Sequence, residues 1–239
     1  MGFANLYCRS AYQFGESCVF PSEYAAKAKA LGYSAIGLAD RESISAFPAF
    51  FDACAKSGIK PVAGAEFRLL EATGTKQGVL FVKDETGYEN LCRILALKKD
   101  GYYASDLKGL SGGLLLVFPA DSYEPQSLDK DINFFASFGN LWDDIRLGLD
   151  VRSSQDKTRA ALVHEFARTH AYRTVAFPLV RHLGKKGAFI LDVMAADRKH
   201  VPLTTEQIAD QDRGGPDFLL NPTISEALYG KSDLEEADE

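Results

Sequence analysis

The stretch from Ser34 to Glu66 limits what this chain can fold into more than any other. Two short apolar runs, Ala35-Ile36-Gly37-Leu38-Ala39 and Pro61-Val62-Ala63-Gly64-Ala65, flank a segment with near-helical spacing at Ile44, Phe47, Phe51, Cys54, Ala55 and Gly58. Apolar runs that do not alternate suit strands covered on both faces, as in a parallel sheet, and Gly58 is placed to end the helix between them. The unit reads as strand, helix, strand. Asp40-Arg41 follows the first strand and Glu66 the second. In parallel α/β folds ligands and catalytic groups collect at the carboxyl ends of the strands, although acids there also serve as helix caps and turn residues.

The same reading extends along the chain. It gives a first strand at Phe3–Cys8, a helix opened by Pro21 and Ser22 and closed by Gly32, and a fourth strand at Val79–Val82. Thr86 and Glu89 have capping-box spacing at the head of a helix carrying Tyr88, Leu91, Cys92 and Leu95. A fifth strand follows at Leu114–Phe118, then a mixture of turn and helix from Pro119 to Gly139, then a more alternating sixth strand at Asp144–Leu149. Ser153 or Ser154 caps a long helix, and Thr174–Phe177 is the seventh strand. Strands mostly followed by helices indicate the α/β class, either a barrel or an open doubly wound sheet, and periodicity does not choose between them.

After Gly214-Gly215-Pro216 the pattern predicts a short helix from Pro222 to Leu228, and Ser232 with Glu235 is spaced to start another. That last piece reads either as an acidic disordered tail from Asp233 to Glu239 or as the start of further chain. The expected organisation is one domain over residues 1–215 and a linker or tail over 216–239, leading toward a following domain.

A net charge of −6 argues against a surface that grips phosphate backbones unaided. Lys98-Lys99 and Arg181 with Lys185-Lys186 read as solubilising groups, and Gly184-Lys185-Lys186-Gly187 lacks phosphate-loop spacing, so it reads as a turn with two solvated lysines. Cys8, Cys18, Cys54 and Cys92 never form a C-x-x-C pair and read as small apolar core residues. His164 and His170 read as solvated or half-buried helix residues. No secretory pattern opens the chain and no apolar run approaches the roughly 20 residues that span a bilayer, so a cytoplasmic location is expected.

The segments Tyr7-Cys8-Arg9-Ser10-Ala11-Tyr12 to Pro21, Gly32 to Asp40 and Gly58 to Glu66 together resemble the polymerase and histidinol phosphatase (PHP) domain. With Gly87-Tyr88-Glu89-Asn90-Leu91, the pattern is most similar to the amino-terminal PHP domain of bacterial DNA polymerase III alpha subunits. The resemblance covers about residues 3 to 200. It implies a distorted seven-stranded (βα)7 barrel with a cluster of zinc, manganese or iron ions at the carboxyl ends of the strands, hydrolysing phosphoesters. In polymerase subunits some copies retain metals and a proofreading-type nuclease, and others serve as structural platforms.

Carried over residue by residue, the resemblance implies a dismantled metal site. Tyr7 and Arg9 stand where the family has His-x-His, Glu16 where it has an aspartate, and Asp40-Arg41 where it has Asp-His. Glu66 is intact. Gln77 falls at a histidine, Ala120 at a cysteine with Asp121 beside it, and Val180 at the aspartate of a closing Asp-x-His whose histidine is His182. Zinc or manganese requires several imidazole, thiolate or carboxylate donors converging within about 2.0–2.3 Å, and arginine stays protonated and repels a cation. Two readings follow. Arg9 and Arg41 stand in for the ions by neutralising Glu16, Asp40 and Glu66, or both arginines point to solvent and the acids merely cap helices.

Three functions are weighed on this basis. The first is a metal-free, non-catalytic PHP domain of a polymerase III alpha subunit. It would be a scaffold for the polymerase core of the same chain and for the proofreading exonuclease subunit or other replisome proteins, meeting DNA only through the parent polymerase. The second is a metal-dependent phosphoesterase or 3'-5' exonuclease with a rebuilt zinc or manganese site at Glu16, Asp40, Glu66, Asp121 and His182. The third is a free-standing interaction module descended from the same domain. Under the first reading no cofactor is expected and no residue here is assigned to nucleotide transfer.

Overall fold

A computed structural model describes residues 4–119, 128–142, 144–200, 202–203 and 219–238. The central unit is as the sequence predicts. β1 (Ala35–Arg41) and β2 (Lys60–Glu71) pair in parallel with Arg41 opposite Glu66, and α2 (Phe47–Ser57) joins them. α1 (Pro21–Leu31) precedes the unit, and both helices end on glycines in the left-handed region, Gly32 at φ 78° and Gly58 at φ 70°. One detail differs: Phe50 rather than Phe51 faces the core with Phe47 and Cys54, and Phe51 is 40% exposed.

The sheet is mixed, not parallel throughout. β2 runs past Glu66 to Glu71, turns, and returns antiparallel as β3 (Gly74–Val82). The outer half of β3 is polar and partly exposed, which is why only its apolar inner end is visible as a strand in the sequence. A two-residue strand, β4 (Tyr102–Tyr103), adds to the outer part of β2. β3 also pairs antiparallel with β5 (Leu114–Phe118), and β6 (Ile145–Leu149) and β7 (Arg173–Ala176) follow in parallel. The order β1-β2-β3-β5-β6-β7 curls into a barrel-like sheet.

Residues 5–9 join the two ends of that sheet. On one side Gly37 N–H donates to the Asn5 carbonyl and Ala39 N–H to the Cys8 carbonyl, both at 2.8 Å. On the other, Val180 N–H donates to Tyr7 at 2.8 Å and Arg9 N–H to Val180 at 2.9 Å. The expected first strand at Phe3–Cys8 therefore occupies a strand's place, but it makes isolated bridges at Asn5 and Cys8 instead of a regular ladder. The Tyr24 hydroxyl of α1 lies 2.7 and 3.1 Å from the carbonyls of Arg9 and Val180 and pins the helix across this seam.

α3 (Glu85–Ala96) is capped by Asp84, which accepts from Gly87 N–H at 2.9 Å, and not by the Thr86/Glu89 box. Its buried face is Leu91 and Ile94, and Tyr88 is turned out. Within the stretch read as mixed turn and helix, α4 (Leu128–Gly139) packs Phe134, Phe135 and Phe138 around Phe118 of β5. α5 (Ser154–His170) takes Ser153 as its cap, and α6 (Lys185–Lys199) begins at the Gly-Lys-Lys-Gly turn with both lysines exposed. No helix of the described residues is long and apolar enough to cross a membrane.

The helix expected from Pro222 to Leu228 is present as α7 (Pro222–Leu228), and α8 (Lys231–Asp238) follows it. The alternative of a disordered tail from Asp233 is corrected, because α8 is helical and docked on the barrel. Asp233 is buried, accepts from Thr174 Oγ1 at 2.6 Å and lies 3.3 Å from half-exposed His164 Nε2. Tyr229 Oη accepts from Val151 N–H at 2.9 Å, and Glu236 lies 2.9 Å from Arg146. Under this cover every residue of β6 is buried, Arg146 included, so its alternation does not mark a solvated face. Residues 214–216 lie outside the described residues.

Candidate functional site

The register of β1 against β2 sets Arg41 beside Glu66, and the seam strand brings Tyr7 and Arg9 to the same carboxylate. One Glu66 oxygen accepts from the Tyr7 hydroxyl and from Arg9 Nη2; the other accepts from Arg41 Nε at 2.9 Å. Arg9 Nη1 donates to Glu16 at 2.9 Å. The second Glu16 oxygen lies 3.8 Å from Arg41 Nη1 and 3.5 Å from Arg198 Nη1 of α6. Glu66 is 1% exposed and Arg9 5%, so this is a desolvated network and not a surface ion pair. The Arg9 guanidinium also lies 5.6 Å from the Tyr7 ring centroid, and that ring stacks on Phe177 at 4.8 Å. Arg9 turns inward and is buried, whereas Arg41 reaches Glu66 with its Nε from a side chain that stays 41% exposed.

Asp40 departs from the expected pairing. Ser10, not an arginine, holds it, through the backbone N–H at 2.7 Å and the hydroxyl at 2.6 Å. Gln77 is not in the cluster, because it faces Arg68 across the hairpin while Val79 faces Glu66. Val180 contributes main chain to the seam. His182 is buried and its Nδ1 accepts from Gly184 N–H at 3.2 Å. Ala120 and Asp121 lie outside the described residues. Three participants carried no signal in the sequence: Ser10, Gln13, whose side chain accepts from Arg41 N–H at 2.6 Å, and Arg198. Each acts across many residues of chain, beyond any local pattern.

The two buried carboxylates titrate in opposite senses. Burial alone would raise Glu66, but the charge of Arg9 and the hydrogen bonds from Tyr7, Arg9 and Arg41 bring it below the ordinary glutamate value. Burial raises Asp40 above the ordinary aspartate value, and the Ser10 bonds and Arg9 charge offset this only in part. The Glu66 contribution to stability is therefore complete above the ordinary carboxylate range and is lost as pH falls through its depressed folded value. Asp40 is the reverse, since its ionisation in the folded state costs stability as pH rises through its raised value. At pH 7 Glu66→Gln is expected to cost about 2–3 kcal/mol, while Asp40→Asn is neutral or stabilising. Melting temperatures of both variants across about pH 3–8 check this; a stability loss in Asp40→Asn as large as in Glu66→Gln contradicts it.

The described residues do not fit a metal cluster. Both Glu66 oxygens are taken by cationic or hydroxyl donors, and among the described residues no group of three His, Cys, Asp or Glu side chains could hold an ion. The cluster can fix the seam strand to β1 and β2.

With this geometry established, comparisons give the family context. Residues 5–118 match the family model described as the PHP domain. An error-prone DNA polymerase of Pseudomonas fluorescens is 27% identical over 98% of this chain, and a DNA polymerase III subunit alpha of Streptococcus pyogenes is 29% identical over 46% of it. The chain spans 23% of the first relative's length and 11% of the second's. Among solved structures, a metal-dependent phosphoesterase from Bifidobacterium adolescentis aligns with TM-score 0.54 at 12% identity, covering 74% of this chain and 86% of that one. An amidohydrolase from Chromobacterium violaceum, with bound sulfate and no metal, aligns with TM-score 0.55 at 13% identity, covering 77% and 89%. These two support the barrel-like fold.

Proposed function

We propose, from a chain whose residues 5–118 are a PHP domain related to those of bacterial DNA polymerases, that it is the metal-free PHP domain of a polymerase III alpha-type subunit. Its role is a structural and partner-binding scaffold. The observation that carries this reading is Glu66, whose two oxygens are occupied by Tyr7, Arg9 and Arg41 where the resemblance implies a metal ligand. Fixed guanidinium charge replaces the ions electrostatically, holding the acids together without a Lewis acid. The proposed partners are the polymerase core of the same chain and the exonuclease subunit or other replisome proteins, in the cytoplasm. Contact with DNA comes through the parent polymerase.

Metal analysis of protein purified without chelator tests the reading, together with hydrolysis of bis(p-nitrophenyl) phosphate in added manganese. The expected result is far less than one zinc or manganese ion per chain, and no hydrolysis that depends on Glu66. Stoichiometric metal that is lost in Glu66→Ala along with activity would instead establish a phosphoesterase rebuilt around Glu16, Asp40, Glu66, Asp121 and His182.

A further inference from the structure

α8 meets the barrel in a contact where β7 and α5 also converge. Thr174 Oγ1 of β7 lies 2.6 Å from one oxygen of Asp233 and 3.3 Å from Nδ1 of His164 on α5. His164 Nε2 lies 3.3 Å from the other Asp233 oxygen. Asp233 is buried, while His164 is half-exposed and open to protons from solvent. A threonine hydroxyl carries a single hydrogen. Asp233, at the shorter distance, takes it, so Thr174 turns its lone pairs toward Nδ1. Both ring nitrogens of His164 therefore face acceptors. The imidazolium, with two N–H groups, completes a closed circuit of three hydrogen bonds. Neutral imidazole has one N–H, and whichever side lacks it sets lone pair against lone pair.

The other charged groups described around this contact do not switch near neutral pH. Arg146 of β6 and Arg173 of β7 tie Glu236 of α8 at 2.9 and 3.3 Å, and both are permanent cations. Asp144, against both arginines and Lys83, stays below the ordinary aspartate value despite its burial, and burial raises Tyr229 above the ordinary tyrosine value. On α5, Lys157 reaches the Ala227 carbonyl at 2.9 Å, and Glu165 pairs with Arg168 at 2.8 Å. On α8, Lys231 pairs with Glu235 at 3.5 Å. We propose that His164 is a proton-operated clasp on α8, tying the helix to β7 and α5 when both ring nitrogens are protonated and loosening it when one proton leaves. The hydrogen bond to Asp233 and the charge of that carboxylate raise His164 above the ordinary histidine value, against the effect of burial. The clasp's contribution is therefore complete below the ordinary histidine value and is lost as pH rises through the raised folded value. Loosening α8 draws Glu236 and Ala237 away from the wall of a cavity of about 590 Å³ at the amino ends of β1, β2, β6 and β7.

Hydrogen exchange of the α8 amides, expressed as protection factors so that the intrinsic pH dependence is removed, tests it. Between about pH 6 and about pH 8.5, protection at Leu234–Ala237 is expected to fall about tenfold relative to the amides of α3, which report loosening elsewhere. His164→Gln, a change at a half-exposed side chain, is expected to give the lower protection at both pH values. Titration of the His164 ring by NMR in the parent protein is expected to show a midpoint above the ordinary histidine value, which Asp233→Asn removes. The proposal is overturned by α8 protection that does not change between the two pH values, by a change that persists undiminished in His164→Gln, or by a His164 midpoint at or below the ordinary value.

Discussion

Arg9→Ala is expected to lower stability by about 3–5 kcal/mol, the loss that follows when one member of a buried charge network is removed. The substitution strips Glu66 of one donor and Glu16 of its shortest partner while both acids stay in place. Arg41 and Tyr7 still serve Glu66, which puts the cost toward the lower end of that range. For a domain of this size the melting temperature should fall by about 6–20 °C. Arg9→Lys is expected to lose less but not to restore the parent, because one ammonium cannot bridge two carboxylates as a guanidinium fork does. In a Glu66→Gln background Arg9→Ala should cost at least about 1 kcal/mol less than alone, the coupling expected of residues in direct contact. Additive losses would mean that Arg9 acts through its packing on Tyr7 and not through the carboxylate.

The second large effect is expected at Gly37. A Cβ there would overlap the Leu6 carbonyl oxygen and lie 2.6 Å from Leu6 Cα. These are backbone atoms, so no side-chain rotation relieves the clash, and the seam strand must move away from β1. Gly37→Ala should therefore cost about 3 kcal/mol, at the upper end for overpacking, since the Gly37–Asn5 and Ala39–Cys8 hydrogen bonds lengthen together. Urea denaturation measures the loss, and faster hydrogen exchange at the Gly37 and Ala39 amides locates it. Gly139→Ala is the control: the added carbon meets only Tyr172 Oη at 3.9 Å, and stability should change by less than about 1 kcal/mol. A Gly37→Ala protein as stable as its parent would show that residues 5–9 do not close the barrel.

The two effects are linked. The seam that needs Gly37 also carries Tyr7 and Arg9, so the charged network and the barrel closure share one strand. The guanidinium that neutralises Glu66 belongs to the segment that joins the sheet's two edges. Removing either the network or the close approach should loosen the same amides.

The sequence by itself determined the parallel β1–α2–β2 unit, the glycine stops at Gly32 and Gly58, a cap at Ser153 or Ser154 and the acids at the strand ends. These depend on periodicity and on caps within a few residues, which a linear pattern records. Side-chain chemistry also fixed Arg9 and Arg41 as permanent cations. Only the tertiary structure decided that Arg9 meets Glu66 across 57 residues, that Ser10 takes Asp40, that β2 and β3 form an antiparallel hairpin, and that α8 covers Arg146. Each of those contacts is set by how the sheet curls and which surfaces it leaves to be covered, and residue spacing along the chain contains no term for that.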